Sequence, residues 1–345
     1  MACLFAVISS DQPVLILSCL ATNGSRDISS PKNSICNMKL LTIIVTYNGM
    51  KWLDRCLGSL RESSVPTDVL VVDNGSTDGT LEYIPSAFPQ VQLVSTGANL
   101  GFGKANNIGL QKAVNEGYDY VYLLNQDAWV APDTFEKLIG AMKLSPEYGI
   151  LSPMQLTASW ESLDPRFVRW CPPAAWDEWK DQSACLSSDL SSDSQSVSSG
   201  RQSVRPVNFV MAAHWMISRA CFTKVGGFSP AFAHYGEDDN YVHRAQYHGF
   251  KVGILSSAGA VHDREMRPMT KAGSMRLKCV ASLVKVSNPQ NNFMFRCIFQ
   301  PVELLAISLR YGSWSVFKYI FKLVASYPRL RRLRQSSLVP GAFLE

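Results

Sequence analysis

Several things are missing from this sequence, and each absence excludes something. None of its nine cysteines stands in a C-x-x-C pair. Neither a zinc site nor a disulfide framework is written into it, and a reducing compartment fits best. The apolar run VLILSCLA at residues 14–21 is too short to span a bilayer, and Asp11-Gln12-Pro13 splits it from the preceding LFAVI. No basic region precedes it, which argues against a secretory signal. Acids are scarce in one stretch. Between Arg264 and Arg334 there are 14 Lys or Arg but only two acids, Glu265 and Glu303, whereas the rest of the chain has 26 acids and 19 bases. An acidic body with a basic tail points to a tail that meets an anionic surface, and the competing reading is a solvated tail without a partner.

What is present is the raw material of an α/β fold. The chain has 345 residues, 46% of them apolar, enough for one large domain with an appendage. LLTIIVT at 40–46 is a continuous β-rich run, as expected of a strand covered on both faces. Trp52, Leu53, Cys56, Leu57 and Leu60 follow at helical spacing. Strands are then predicted over 69–73, 91–94 and 119–124, separated by helices over about 81–86 and 103–116, and Pro132 opens a further helix. This alternation predicts a mostly parallel sheet flanked by helices, with ligands gathering beyond the C-terminal strand ends.

Residues 1–37 read as an extension outside the fold, with Met38 a natural start. A domain over 38–265 is expected, and inside it 155–205 reads as an insertion. That insertion holds Trp160, Trp170, Trp176 and Trp179, then ten serines within residues 183–203, a composition that reads as a mobile loop. Helices are predicted over 219–225 and 237–249, and short strands over 251–255 and 259–262. Residues 266–345 form a basic amphipathic helical tail. Val302, Leu305, Leu309, Phe317 and Phe321 lie on its apolar faces, and Arg329, Arg331, Arg332 and Arg334 lie beside them. Such a tail either lies in a membrane interface or packs back on the domain.

Every strand end carries a polar knot. The first has Thr46-Tyr47-Asn48 and the second Asp73-Asn74-Gly75-Ser76. The third leads to GANLGFGKANNIG at 97–109, and the fourth gives Asn125-Gln126-Asp127. Singly each is a turn, but four at successive strand ends suggest the rim of a nucleotide pocket. Asp73 and Asn74 suit the polar edge of a base, and Tyr47 suits its ring. Asn99 and Asn106 supply amides, and Gln126 joins this nucleotide-facing set. Asn125-Gln126-Asp127 reads as a degenerate D-x-D for Mg²⁺ or Mn²⁺, with Asp127 doing the main work. The alternative there is an N-cap. In HYGEDDNYVHR at 234–244, Glu237, Asp238 and Asp239 open a helix. They either complement its dipole or aim a carboxylate into a cleft, where it can deprotonate an attacking hydroxyl. Arg244 is placed to bind back to Glu237 or to phosphate. His262, after a strand, is either structural or a third metal ligand.

In IIVTYNG, VLVVDNGSTDGT, NLGFGKANNIG, LLNQD, FVMAAHWMISRACFTKVGGF, HYGEDDNYVHR and AVHD, in that order, the sequence resembles the family 2 inverting glycosyltransferases of GT-A fold, in their rhamnosyltransferase-like branch. The resemblance runs from about Leu40 to His262. It implies Thr46 and Asp73 at the nucleotide base, and Asp127 with Asn125 at a divalent metal. Asp238 would be the general base with Glu237 and Asp239 beside it, and His262 a metal or diphosphate contact. The family commonly reads E-D-x-D-L, whereas here Asn240 and Tyr241 fill the last two places, so a slip of one residue would make Asp239 the base. The implied activity is transfer from a UDP- or dTDP-linked sugar to a saccharide or lipid-linked saccharide in surface polysaccharide synthesis, which would put the insertion 155–205 on the acceptor side and make its tryptophans over 160–179 an acceptor platform. The implied location is the cytoplasm, at the inner face of the cell membrane, with no nucleic-acid partner. A nucleotide-sugar-binding scaffold without catalysis is the alternative. A nucleotidyltransferase is disfavoured because Tyr47-Asn48-Gly49-Met50 lacks a Gly-rich, Arg/Lys-bearing loop.

Overall fold

The computed structural model describes residues 38–188, 204–264, 270–311 and 316–344. The expectations for residues 1–37 and for the serine-rich stretch beyond Ser188 lie outside the described residues.

Strand β1 (Leu40–Thr46) is buried along almost its whole length, as its unbroken apolar run requires. It pairs in parallel with β2 (Asp68–Asp73) on one side and β4 (Tyr120–Asn125) on the other, and β2 pairs in parallel with β3 (Gln92–Ser95). The register sets Thr46 beside Asp73 and Val45 beside Asn125. The first, second and fourth polar knots therefore emerge side by side at one edge of the sheet. Helices α1 (Leu53–Arg61), α2 (Thr80–Ala87), α3 (Phe102–Asn115) and α4 (Thr134–Leu144) complete this half. Helix α3 lies so close on β1 that a Cβ added at Gly109 would stand 2.4 Å from Cδ1 of Ile43.

Beyond β4 the sheet becomes mixed. Strand β8 (His214–Ser218) runs antiparallel to both β4 and β6 (Tyr148–Leu156), and β6 runs parallel to β9 (Lys251–His262). Strands β5 (Ala128–Val130) and β7 (Val204–Pro206) both pair antiparallel with β9. Two short strands were expected over 251–262, yet β9 is one strand. Its partner register jumps from Leu255 to Gly259, so residues 256–258 bulge without ending it.

The segment 155–205 contains a helix, α5 (Pro173–Ser188), which continues into the first residues of the stretch read as a serine-rich loop. Its inner residues hold it down. Trp176 and Trp179 pack against the main core, Glu178 pairs with Arg205, and Ser256 donates to Glu178 across 2.6 Å. The chain continues through α6 (Arg219–Val225) and α7 (Glu237–Tyr247).

The tail folds as α8 (Lys271–Ser287), α9 (Phe293–Tyr311) and α10 (Val316–Ser336) around a small core of its own that includes Cys279, Val286, Leu304, Leu323 and Leu330. It also packs on the body. A Cβ at Gly236 would meet Val280 at 2.7 Å and Val284 at 2.9 Å, so α8 seats directly on the start of α7. Two tail arginines expected at an anionic surface are used internally. Arg334 donates to the carbonyls of Asn288, Pro289 and Asn291, and Arg329 donates to that of Pro230.

Candidate active site

The loops after β1 and β2 are woven together by side chains that sequence reading had pointed at a ligand. Asp73 is fully buried. Its Oδ1 accepts from the backbone N–H groups of Gly75 and Ser76 at 3.0 Å, and its Oδ2 accepts from the hydroxyls of Thr46 and Ser76. Both oxygens are committed to shaping the turn. Asn48 Oδ1 accepts from Thr77 N–H at 2.8 Å, and Asp78 Oδ2 accepts from Met50 N–H at 2.9 Å.

The amides are committed too. Gln126 Oε1 accepts from Tyr47 N–H at 2.8 Å, which ties the first and fourth knots. Asn74 exchanges weak bonds with the backbone of Leu100 and Gly101, and Asn99 caps Gly101 N–H at 2.9 Å. Asn106 is buried and donates to Phe102 C=O inside α3. Buried or loop amides must satisfy backbone groups that water cannot reach, and none of these partners shows in a linear sequence. Tyr47 is different, since half its surface is exposed. The set therefore frames a rigid loop platform on which Tyr47 is the open aromatic face.

The second half of the site assembles where β4, β5 and β9 meet. Oδ1 of Asp127 lies 3.3 Å from Nε2 of His262, and Asn125 Nδ2 lies 3.5 Å from the same nitrogen. Burial pushes the Asp127 carboxyl up, but the His262 hydrogen bond and the charge of Arg264 help to outweigh it, leaving the group below its ordinary value. Behind His262 stands a pair that sequence reading missed. Arg264 Nη2 donates to His262 Nδ1 at 2.9 Å, and Arg264 Nε donates to Asp164 Oδ2 at 2.7 Å. With Nδ1 accepting, the proton of the neutral ring sits on Nε2 and faces Asp127. Asp164 is fully buried, and its other oxygen accepts from the N–H groups of Arg166 and Phe167.

A cavity of about 640 Å³ joins this cluster to α7. Asn125, His262 and Arg264 line it together with Glu237, Asp238, Arg169 and Trp170. Asp238 thus shares one space with Asn125 and His262, whereas Asp73, Asp127 and Asp239 do not line it, and Asp127 meets it only through its contact with His262. Of the four tryptophans expected to form an acceptor platform, Trp170 lines the cavity, while Trp176 and Trp179 are spent on the core. Arg244 also departs from expectation. It is fully buried and donates to the carbonyls of Val225 and Gly227, away from Glu237.

The backbone presents the acids under constraint. Tyr235 (φ 70°) and Gly236 (φ 85°) both take left-handed conformations just before α7. Two such residues in succession turn the chain sharply, so that the first helical turn points inward. Burial raises all three acids. Glu237 rises to about 7, with the charges of Asp238 and Asp239 adding to the effect. Asp239 also rises to about 7, through burial and then the charge of Asp238, against Arg169. Asp238 is raised by burial against the N–H groups of Asp239 and Ala212. A carboxylate held near neutrality within a cleft is suited to taking a proton.

No three His, Cys, Asp or Glu side chains among the described residues form a ready-made metal cluster. Asp127 and the Asn125 amide oxygen instead offer hard ligands, while His262, with Nδ1 taken by Arg264 and its Nε2 hydrogen toward Asp127, orients that carboxylate. That oxygen pair fits a hard divalent cation whose remaining ligands come from phosphate oxygens, with Asp164 standing behind the imidazole as a supporting acid.

Residues 42–155 match the family model described as Glycosyl transferase family 2. The N-acetylglucosaminyl-diphospho-decaprenol L-rhamnosyltransferase of Mycobacterium tuberculosis is 29% identical over 244 residues, covering 65% of this chain and 76% of that protein. The dTDP-rhamnosyl transferase RfbF of Shigella flexneri is 32% identical over 103 residues, covering 30% of this chain and 34% of its own. Among solved structures, residues 1–349 of S. aureus TarS superpose with a TM-score of 0.53 at 14% identity, covering 88% of this chain and 83% of that one. The fold is that of the GT-A glycosyltransferases. Residues 42–155 thus carry the family 2 glycosyltransferase match and the chain is similar to rhamnosyltransferases, both of which support a glycosyltransferase enzyme.

Proposed function

We propose that this enzyme moves a sugar, with inversion, from a UDP- or dTDP-linked donor to a hydroxyl of a saccharide or lipid-linked saccharide during surface polysaccharide synthesis, at the cytoplasmic face of the membrane. One observation carries the reading: Asp238 and the Asn125–His262 end of the proposed metal group line the same cavity. The activities of the mycobacterial and Shigella relatives favour a rhamnosyl donor and a prenyl-diphosphate-linked acceptor.

In this reading the nucleotide lies over the platform formed by Thr46, Asp73, Asn74, Asn99 and Gln126, with Tyr47 against the base. Asp127 and Asn125, with His262 orienting the carboxylate, would hold a divalent cation, which when bound would neutralise charge on the departing diphosphate. Arg264 keeps the His262 ring in place and adds positive charge beside the same oxygens. Asp238 accepts the proton of the acceptor hydroxyl. That oxygen forms a bond to the anomeric carbon from the face opposite the leaving group as the carbon–oxygen bond to the diphosphate breaks. Burial holds the Asp238 carboxyl above its ordinary value, which favours it as a proton acceptor. Trp170 offers an aromatic face to the acceptor ring.

The anomeric configuration of the product tests the reading. A linkage inverted relative to the donor, seen by NMR of the purified product, supports one displacement at Asp238; retention overturns it.

A further inference from the structure

Helix α9 packs on its neighbours through Phe293, Cys297, Gln300 and Leu304, and Gln300 and Leu304 are essentially fully buried. At about 100° per residue, Met294, Phe295, Ile298, Phe299, Val302 and Leu309 fall on an arc about 140° wide centred opposite that packed side. All are exposed, Ile298 to 68% and Leu309 to 77%. The two charged residues within 293–309, Arg296 and Glu303, lie off this arc, and Glu303 is held by Lys285 at 2.6 Å. A helix normally turns charge toward water on the side away from its packing contacts; α9 does the reverse. Helix α10 extends the pattern. Phe321 is 75% exposed and Val324 lies beside it on the same stripe, flanked along the helix by the exposed Lys318, Lys322 and Arg332.

We propose that the outer face of α9, continued by the Phe321–Val324 stripe of α10, lies in the interfacial layer of an anionic membrane. Charge selects this occupant. Residues 270–336 carry 12 Lys or Arg and one acid. A second copy of the chain would set two strongly cationic surfaces together, whereas anionic headgroups match the flanking cations while the apolar arc enters the acyl boundary. No helix among the described residues is long and apolar enough to cross a membrane, so the contact is in the plane of the surface. The face differs from the one read from sequence, since Arg329 and Arg334 are bound to backbone carbonyls while the apolar arc of α9 carries the contact. Helix α8 bridges the two regions: Leu277 lines the catalytic cavity, and the same helix packs on α9. The bilayer would therefore lie beside the cavity, where a lipid-linked acceptor enters. The contact itself does not depend on sugar transfer.

Flotation of the full chain with sugar-free vesicles tests this. The protein should float with phosphatidylcholine vesicles containing 30% phosphatidylglycerol, at roughly ten times the partition seen with phosphatidylcholine alone. The double variant Ile298→Ser/Phe299→Ser, checked for native circular dichroism, should lower partition roughly 100-fold. Lys318→Gln/Lys322→Gln should lower only the anionic preference. Absence of flotation overturns the proposal, as does unchanged flotation of the serine variant. A stable dimer in light scattering that the serine variant dissociates, without vesicle binding, also overturns it and assigns the face to self-association.

Discussion

Oδ1 of Asp127 stands 3.3 Å from Nε2 of His262, and the ring's other nitrogen accepts from Arg264, itself clamped to the buried Asp164. A loop carboxylate, a strand-end imidazole and a buried ion pair thus form one relay. It starts at the tip of the fourth strand and ends inside the segment between β6 and α5. In the proposed mechanism this relay sets the position and basicity of the metal ligands.

Replacing His262 by Ala should leave the fold intact while weakening Mn²⁺-dependent binding of a nucleoside diphosphate by roughly 10- to 100-fold. Isothermal titration with and without Mn²⁺ checks this. Equal affinity in both proteins would remove His262 from the site.

Arg264→Gln removes the cation facing a fully buried carboxylate. Breaking a buried pair on one side leaves the other charge uncompensated, and a loss of about 3 kcal/mol is expected in urea unfolding. The two backbone N–H groups on Asp164 keep the loss at the lower end of the range for such pairs.

The conformation of Gly236 cannot be shared with a side chain. Its φ is 85°, and an added Cβ would press on Val280 and Val284. Gly236→Ala should cost about 2 kcal/mol or more and swing Asp238 out of line. Activity should therefore fall more than thermal stability alone explains, whereas Gly79→Ala, where no atom crowds the added Cβ, should cost only the backbone term.

Acidity gives opposite signs for stability and for rate. Glu237 and Asp239 bind protons more tightly folded than unfolded, since burial lifts both to about 7 from ordinary values near 4. Their contribution to stability is fully present below the unfolded values and is lost as pH rises through about 7. Burial raises Asp238 as well, and the base must be ionised to work, so kcat/KM should climb as pH rises above the ordinary carboxylate range. Urea midpoints at pH 5.5 and 8, together with a pH–rate profile, check both. A flat profile from pH 5 to 8 would contradict the assignment of these acids.

Much of this was legible in the sequence, for identifiable reasons. Strand β1 is covered on both faces, so its apolar run is unbroken, and the polar residues that follow mark where the sheet ends. Asp127, Asp238 and His262 stood out because each follows a strand or opens a helix. The Arg264–Asp164 pair did not, because two single residues far apart in the chain carry no local pattern until β9 and the loop before α5 are brought together. The amides of Asn74, Asn106 and Gln126 looked free because their backbone partners are set by tertiary contacts. Helix α5 was hidden because serine content masked the packing of Trp176 and Trp179, which pins it to the sheet. The periodicity of α9 was visible, but which side faced outward depended on where α8 and α10 pack.

The central claim is that Asp238 takes the acceptor's proton within the cavity it shares with Asn125 and His262. Transfer rates of Asp238→Asn and Asp239→Asn, measured beside nucleoside diphosphate affinity, test it most directly. The account predicts that Asp238→Asn lowers kcat by roughly 100- to 10,000-fold with nucleotide affinity unchanged, while Asp239→Asn keeps most activity. Full activity in Asp238→Asn, or the larger loss in Asp239→Asn, would contradict it.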